Sequence, residues 1–158
     1  MLPKETYIEV VKNTPLVSID LIIRDTKNRV LLGFRKNNPA KGTWFVPGGV
    51  IRKNELFTNA FKRVCLAEIG KEISLDEAQY IGLYEHIYPK NFADLDGFGT
   101  HYVVNAFALK EPLNTNNLPP AQHEEYWWAT EDEILNHNKV HQNTKNYFNG
   151  HQPFSSNR

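Results

Sequence analysis

Apolar residues along the chain follow two kinds of pattern, which together predict a mixed α/β protein. Short runs rich in β-branched and aromatic residues, each bounded by turn residues, are typical of buried strands. A longer segment, 54–69, repeats its apolar residues at helical spacing and so predicts a helix with one wide hydrophobic face. The strands are expected at 16–23, 29–35, 43–46, 80–88, 101–110 and 125–129.

Shorter helices are predicted near both ends of the chain. An amphipathic helix is expected over 3–12, and Thr130 with Glu133 has the spacing of a capping box for the helix that follows. A further short helix is expected over 144–148. With no internal repeat and no linker, these elements predict one domain over 1–158. Its fold class is α/β (α+β), a mixed β-sheet sandwiched between helices.

The long helix is framed by residues that start and stop helices. Pro47-Gly48-Gly49 is expected to form a tight loop, because glycine tolerates backbone conformations that other residues avoid. Asn54 is expected to cap the helix N-terminus, and Gly70 stands where a left-handed residue ends a helix. The segment 111–121, with three prolines and three asparagines, is expected to be irregular.

Charge and cysteine content exclude several classes of function. The chain has 18 basic and 18 acidic residues, and no run of lysine or arginine favours nucleic acid or a membrane surface as a partner. A single cysteine, Cys65, excludes an internal disulfide and every multi-cysteine metal site. No apolar run reaches the ~20 residues that span a bilayer, and the N-terminus lacks a signal-peptide pattern. We therefore expect a cytoplasmic protein that binds neither nucleic acid nor membranes.

The candidate chemistry lies between Gly48 and Glu68. A backbone carbonyl in the glycine segment and a carboxylate near the end of the following helix can converge on one hard cation, and Mg²⁺ prefers such oxygen ligands. The same residues also fit a loop-capped amphipathic helix whose charges are solvated. Taken alone, the residue pattern leaves both interpretations open.

The spacing from Gly49 to Gly70 resembles the Nudix box, G-x5-E-x7-R-E-U-x-E-E-x-G-U, where U is a bulky aliphatic residue. Val64 and Ala67 stand where that pattern has two glutamates, and Lys71 stands where an aliphatic residue is usual. Those glutamates hold metal ions in ordinary members, so their loss points to an unusual branch of the family. The matching positions are Gly49, Glu55, Arg63, Glu68 and Gly70.

Blocks along nearly the whole chain resemble the GDP-mannose mannosyl hydrolase branch of the Nudix family, which also lacks those glutamates. The resemblance implies hydrolysis of GDP-mannose, and to a lesser extent GDP-glucose, to GDP and the free sugar. In that branch water attacks the anomeric carbon with inversion. The blocks are NTPLVSID (13–20), LLGFR (31–35), NPAKGTWFVPGG (38–49), THYVV (100–104), QHEEYWW (122–128) and VHQNTKNYF (140–148).

The same resemblance implies the ligands of the metal and the general base. One Mg²⁺ per site, with Mn²⁺ as a substitute, would be held by the carbonyl of Gly48, by Glu68 and by Gln122. His123 would act as the general base on the attacking water. The residues alone favour a surface-loop pair for Gln122-His123, and only the resemblance favours a catalytic role.

Two arginines and four further side chains complete the implied site. Arg63 matches the box arginine and is expected to meet a phosphate or to orient the metal-binding glutamate. The branch has an arginine directly after its two glycines, where this chain has Val50, and Arg52 is the candidate replacement. Each of the substrate-binding candidates is also explained as a strand or core residue. These candidates are Asp20, Arg35, His86 and Tyr102.

Two other functions stay open. The first is a conventional Nudix diphosphatase that attacks phosphorus in another nucleotide sugar, although attack at phosphorus favours several metal ions held by several carboxylates. The second is a non-catalytic Nudix module that binds a nucleotide sugar. The expected partner is in each case a sugar nucleotide, a GDP-sugar for the mannosyl hydrolase branch, and relatives imply a homodimer.

Overall fold

The computed structural model describes residues 1–114, 118–119 and 125–151. In these ranges the chain alternates between strands and helices, as the apolar pattern predicts. The elements are α1 (Lys4–Asn13), β1 (Leu16–Ile22), β2 (Val30–Phe34), β3 (Trp44–Phe45), β4 (Gly48–Val50), α2 (Phe57–Ile69), a 3₁₀ turn (Leu75–Glu77), β5 (Ala78–Tyr88), β6 (Thr100–Leu109), β7 (Tyr126–Ala129), α3 (Glu131–Asn136) and α4 (Gln142–Lys145).

The strands form two sheets. A four-stranded mixed sheet has the order β4-β1-β6-β5, in which β1 runs parallel to β6 and the other pairs are antiparallel. A three-stranded antiparallel sheet has the order β3-β2-β7. The two sheets are joined where the amide of Leu31 donates to the carbonyl of Ile23 at 2.9 Å. The predicted mixed sheet is therefore confirmed.

Hydrophobic side chains bury both faces of this β-structure. Leu21 of β1 packs with Phe61 and Val64 of α2 in one cluster, and Ile22, the next residue of β1, packs with Ile134 of α3 in a second cluster. Neighbouring residues of a strand point to opposite faces, so β1 contributes to both clusters. The helices thus enclose the sheets on two sides, as expected for the fold class.

The glycine segment before α2 is a strand, and the prediction of a tight loop over Pro47-Gly48-Gly49 is wrong. Gly48 pairs with Asp20 of β1, and neither Gly48 nor Gly49 has a positive φ. Glycine is needed here for space, because a Cβ added to Gly48 would lie 2.5 Å from Oδ1 of Asp20. A Cβ added to Gly49 would lie 3.0 Å from Cγ2 of Val64.

The N-terminus of α2 also differs from its prediction. The helix begins at Phe57 with Leu56 as its N-cap, whereas Asn54 adopts a left-handed conformation with φ of 62° inside the preceding turn. Asparagine tolerates this conformation better than most residues, which explains its place in the turn. The predicted end is confirmed, since Gly70 caps the helix with φ of 72°.

The other predicted elements agree with the structure to within a few residues. The capping box of Thr130 and Glu133 is present at the start of α3. The last helix, expected to begin at Thr144, begins two residues earlier at Gln142, because the His141 side chain accepts a hydrogen bond from the amide of Asn143. In the described ranges, no helix is long and apolar enough to cross a membrane.

Candidate active site

A cavity of about 120 Å³ lies on the face of the mixed sheet opposite α2. Alternate residues of a strand share a face, so β1, β5 and β6 each present two side chains to it. The loop that follows β2 covers it from the other side. The residues on its walls are Ser18, Asp20, Arg35, Pro39, Ala40, Phe45, Gly48, Gly49, Val50, His86, Tyr88, Tyr102 and Val104. All four predicted substrate-binding residues line this one cavity, together with Gly48.

Asp20 lies at the centre of the cavity wall, on β1 between β4 and β6. The hydroxyl of Tyr147 donates to Oδ2 of Asp20 at 2.6 Å. Desolvation raises the pKa of Asp20 to about 7, against the effect of the Tyr147 hydrogen bond, and the charge of Glu68 adds to the rise. Asp20 is thus a carboxylate that its surroundings stabilise only partly.

His86 is a neutral imidazole at neutral pH. Its side chain is only 6% exposed, and its Nε2 lies 3.4 Å from the hydroxyl of Tyr147. Burial, together with the smaller effect of the nearby His141, lowers the pKa of His86 to about 4. A neutral imidazole keeps one N–H donor and one lone pair, so His86 can take part in directional hydrogen bonds.

Arg35 supplies positive charge to the cavity. Its guanidinium lies 5.2 Å from the centre of the Phe45 ring, which holds the side chain against the loop after β2. Burial raises the pKa of Tyr88 to about 12 and also raises that of Tyr102, while the charge of Arg35 opposes both shifts. Among the described residues on the cavity walls, Arg35 is the one with a full positive charge, so it suits a phosphate group.

The register of β4 turns the Gly48 carbonyl away from β1. Antiparallel strands alternate between hydrogen-bonded and non-hydrogen-bonded pairs. The amide of Leu21 donates to the carbonyl of Pro47 at 2.9 Å, so the next pair, Asp20 with Gly48, is of the non-hydrogen-bonded kind. The Gly48 carbonyl therefore points to the outer edge of the sheet, where β4 is the last strand.

Helix α2 runs back along this edge. The Val50 carbonyl accepts a hydrogen bond from Arg63 at 2.8 Å, and Gly49 lies against Val64. Later residues of the helix therefore lie beside earlier residues of β4. Glu68, one turn beyond Val64, therefore lies towards the Gly48 end of β4. Glu68 is 5% exposed, and its charge is felt at Asp20 across the strand.

The residues at this edge fit a hard divalent cation. A backbone carbonyl and a buried carboxylate are oxygen ligands of the kind that Mg²⁺ prefers. Glu68 is buried and Asp20 is partly buried. Desolvation raises the pKa of Asp20 and the charge of Glu68 adds to the rise, so a cation beside the two carboxylates would stabilise their charged forms. Gly48 and Glu68 would hold such an ion, with water and substrate in its remaining positions.

Arg63 lies outside the cavity walls and forms an ion pair with Glu55. Its Nε and Nη2 donate to the two carboxylate oxygens of Glu55 at 2.6 and 2.9 Å, and Nη2 also donates to the Val50 carbonyl. This bidentate contact fixes the turn between β4 and α2. The geometry gives Arg63 a structural part in the site, and its catalytic part stays a prediction.

The remaining predicted residues lie elsewhere. Arg52 has an exposed side chain in the turn before α2, where its backbone amide donates to Glu55 at 2.9 Å. Gln122 and His123 lie outside the described residues. Burial raises the pKa of Tyr126, at the start of β7, and the charge of the nearby Glu68 adds to the rise. The described strand nearest to Gln122 in sequence thus begins on the side of the protein that carries Glu68.

Sequence reasoning missed Tyr147, which contacts both Asp20 and His86. The residue belongs to a block that carries the family resemblance, but the resemblance implied no role for it. One signal was available: Tyr147 and Phe148 are an aromatic pair inside an otherwise polar stretch, which indicates burial. Tyr88 was missed as well, because its place on the wall follows only from the alternation of β5.

Residues 14–149 match the family model described as the NUDIX domain. The chain belongs to the Nudix family. It is also 42% identical over 118 residues to the low-salt glycan biosynthesis protein Agl8 of Haloferax volcanii, which covers 74% of this chain and 71% of Agl8. The predicted family is therefore confirmed, and Val64 and Ala67 are true departures from its common pattern.

Solved structures of MutT proteins share the Nudix fold of this chain. The MutT NUDIX hydrolase from Burkholderia pseudomallei is 25% identical, with a TM-score of 0.65 over 84% of this chain and 95% of that one. The MutT protein from Methanosarcina mazei Go1 is 21% identical, with a TM-score of 0.67 over 86% of this chain and 92% of that one. The second likeness shows the fold alone. The Nudix fold is thus confirmed by structure as well as by sequence.

Proposed function

We propose that the chain hydrolyses GDP-mannose, and GDP-glucose less well, to GDP and the free sugar. Water would attack the anomeric carbon with inversion. One Mg²⁺ or Mn²⁺, held by Gly48, Glu68 and Gln122, would supply positive charge for the departing diphosphate. The proposed general base is His123, because an imidazole with an ordinary pKa near ~6.5 exchanges protons readily at neutral pH.

The observation that carries this proposal is the set of side chains on one cavity. Arg35 offers a cation for a phosphate, while Asp20 and His86 offer hydrogen-bonding groups that match a sugar's hydroxyls. Tyr102 adds an aromatic ring to the same wall. A sugar joined to a diphosphate requires this combination of charge, acceptors and apolar surface. The four residues are those that the family resemblance nominates as substrate contacts.

The composition of α2 supports attack at carbon. Attack at phosphorus brings a negative nucleophile to a negative diphosphate, and several metal ions held by several carboxylates usually offset that charge. Val64 and Ala67 remove two of the carboxylates that the Nudix box provides, and Glu68 remains. Departure of an intact GDP needs less compensation, because the anomeric carbon develops positive oxocarbenium character.

The relative from Haloferax volcanii supports a sugar-nucleotide substrate. Its name places it in glycan biosynthesis. Glycans are assembled from sugars activated by nucleoside phosphates, so an enzyme of that process is expected to handle a nucleotide sugar. The comparison supports the class of substrate, and the choice of guanine and mannose rests on the closer resemblance of the blocks.

The deciding experiment is product identification in ¹⁸O-labelled water. The protein is incubated with GDP-mannose and Mg²⁺, and the products are separated and their masses measured by mass spectrometry. We expect GDP without label and mannose with one ¹⁸O atom, formed first as the β anomer. Mannose 1-phosphate and GMP with ¹⁸O in a phosphate would establish the conventional diphosphatase instead. Tight binding without turnover would establish the non-catalytic module.

A pair of histidine variants tests the proposed base. His123→Ala is expected to lower kcat by at least about 100-fold, within the usual range for loss of a general base. His101→Ala is the matched control, because His101 pairs with Glu85 at 3.2 Å outside the cavity walls. Equal rates for His123→Ala and the native protein would remove His123 from the mechanism.

Two further parts of the proposal concern the whole chain. We propose that 1–158 form one Nudix domain and that the protein is a homodimer, as its family resemblance implies. Light scattering coupled to size exclusion measures the mass directly. A mass near that of one 18.3 kDa chain at micromolar concentration would contradict the dimer.

A further inference from the structure

Tyr147 joins the two polar side chains at the centre of the cavity wall. Its hydroxyl lies 2.6 Å from Oδ2 of Asp20 and 3.4 Å from Nε2 of His86. Asp20 belongs to β1 and His86 to β5, and β6 lies between these two strands. Tyr147 follows α4, so a segment from outside the mixed sheet bridges strands that do not pair with each other.

With Asp20 as a carboxylate, the number of protons fixes the direction of these hydrogen bonds. A phenol has one proton, which the hydroxyl of Tyr147 donates to Asp20. Its oxygen can therefore only accept at His86, and acceptance requires a proton on Nε2. The lowered pKa of His86, about 4, means that the ring has a single N–H at neutral pH. The lone pair of His86 then belongs to Nδ1.

Packing holds the Tyr147 hydroxyl in place. The rings of Tyr147 and Tyr84 meet edge to face with centroids 4.7 Å apart, and the ring centroid of Phe148 lies 6.3 Å from that of Tyr147. The segment itself is anchored by His141, which caps α4 and lies 4.9 Å from the ring of Tyr88. A phenol fixed in this way can orient a neighbouring carboxylate and imidazole.

We propose that Tyr147 is a positioning residue that holds Asp20 and His86 in one orientation through a relay, His86 Nε2–H to Tyr147 Oη–H to Asp20. The relay leaves the free oxygen of Asp20 and Nδ1 of His86 as acceptors, so the site selects a ligand rich in hydroxyl donors. The effect on turnover rests on the proposed function, whereas the relay itself can be measured on the free protein.

The tautomer of His86 is the direct test of the relay. In ¹⁵N-labelled protein at pH 9, where Asp20 with its pKa of about 7 is a carboxylate, the ring nitrogens of His86 are assigned by NMR, with His86→Gln to identify the signals. We expect Nε2 to have the chemical shift of a protonated nitrogen and Nδ1 that of an unprotonated one. In Tyr147→Phe, the Nε2 proton should exchange faster with water. A proton on Nδ1 in the native protein would overturn the relay.

A double-mutant cycle tests whether Tyr147 acts through Asp20. Tyr147→Phe is expected to lower kcat by about tenfold with KM changed less than about threefold, because one hydrogen bond to the partly buried Asp20 is lost. In an Asp20→Asn background, the same substitution should change kcat by less than about twofold. An undiminished tenfold effect in that background would show a merely structural role and overturn the proposal.

Tyr84→Phe is the matched control, since it removes a hydroxyl from the ring that packs on Tyr147 without touching Asp20. It should leave kcat unchanged, and a loss equal to that of Tyr147→Phe would count against the proposal. A failure of the proposed function can be distinguished from a failure of the relay. If the native protein does not hydrolyse GDP-mannose, the proposed function fails, and the tautomer of His86 still decides the relay.

Discussion

Two carboxylates on either side of β4 have opposite surroundings. Glu55, in the turn after β4, accepts three N–H groups, two from the Arg63 guanidinium and one from the backbone of Arg52. The Arg63 hydrogen bonds lower the pKa of Glu55 to about 2. Asp20, on the strand that pairs with β4, accepts from Tyr147 and faces the charge of Glu68. Burial raises the pKa of Asp20 to about 7.

The contrast separates an acid whose charge is compensated by an ion pair from an acid whose charge is left partly uncompensated on the cavity wall. The charge of Glu55 is compensated by Arg63, so the residue contributes to stability. Its carboxylate oxygens already accept three hydrogen bonds and are poorly placed to bind a substrate. Asp20 is held in a cavity with its charge partly compensated, and such perturbed groups cluster at functional sites. The sequence singles out both acids, but only their surroundings in the structure show that their charges are compensated to different degrees.

The largest expected effect is at Gly48, where the two regions meet. Gly48→Ala should lower the free energy of unfolding by more than about 3 kcal/mol, because the new Cβ would collide with Oδ1 of Asp20 and with the Ile19 carbonyl. Urea unfolding measures the change. Gly49→Ala is the matched control and should cost about 1 kcal/mol, since its Cβ would lie 3.0 Å from a side-chain methyl of Val64 and not against backbone. Equal costs at both glycines would contradict this account of β4.

Asp20→Asn should separate activity from stability. We expect kcat for GDP-mannose to fall on the order of 100-fold, as when one preorganised polar contact is removed from an active site. The free energy of unfolding should stay the same or rise, because a desolvated charge is removed from beside Glu68. Steady-state kinetics and urea unfolding of the same preparation give both values. A large loss of stability would place Asp20 in the same class as Glu55.

Glu55→Gln should show the reverse behaviour. The free energy of unfolding is expected to fall by about 1–3 kcal/mol, because the Arg63 guanidinium loses a bidentate partner in a partly buried place. The value of kcat should change by less than about threefold. Glu85→Gln is the control, since Glu85 is 53% exposed in its pair with His101 and should matter little to stability. A 100-fold loss of kcat in Glu55→Gln would break the comparison.

The smallest expected effect is the pH dependence of that ion pair. The native pKa of Glu55, about 2, lies below the ~4.3 of an unfolded glutamate, so the pair stabilises the native state fully above pH ~4.3. This contribution is lost as the pH falls from there towards 2. Urea unfolding between pH 3 and 6 should therefore show the native protein and Glu55→Gln converging in acid. If the difference in free energy of unfolding between the two proteins does not change with pH, the charge of Glu55 is not the source of the stabilisation.

The sequence predicted the regular elements well because their signals are local. Apolar runs located the strands, and the helical stripe with Gly70 located the end of α2. The strand β4 was missed because glycine has no strand signal, and its pairing depends on contact with β1. The start of α2 was misplaced because Asn54 suits a left-handed turn as well as a cap.

The sequence predicted which residues line the candidate site better than it predicted the contacts that those residues make. The family resemblance named Asp20, Arg35, His86 and Tyr102, and all four line one cavity. Residue spacing could not show that Arg63 would point to Glu55, because that choice depends on the path of the turn between β4 and α2. Nor could it find Tyr147, since hydrogen bonds between distant segments leave no local pattern.

The contact between Tyr147 and Asp20 has a consequence for the order in which the protein becomes competent. It links two residues that are 127 positions apart in the sequence. A ribosome that has released β1 must still synthesise almost all of the domain before the phenol can reach its carboxylate. Shortened products that lack this late segment would contain most of the fold and an incompletely assembled cavity. The hydrogen bonds of the cavity wall are thereby completed only in chains whose translation has passed α4.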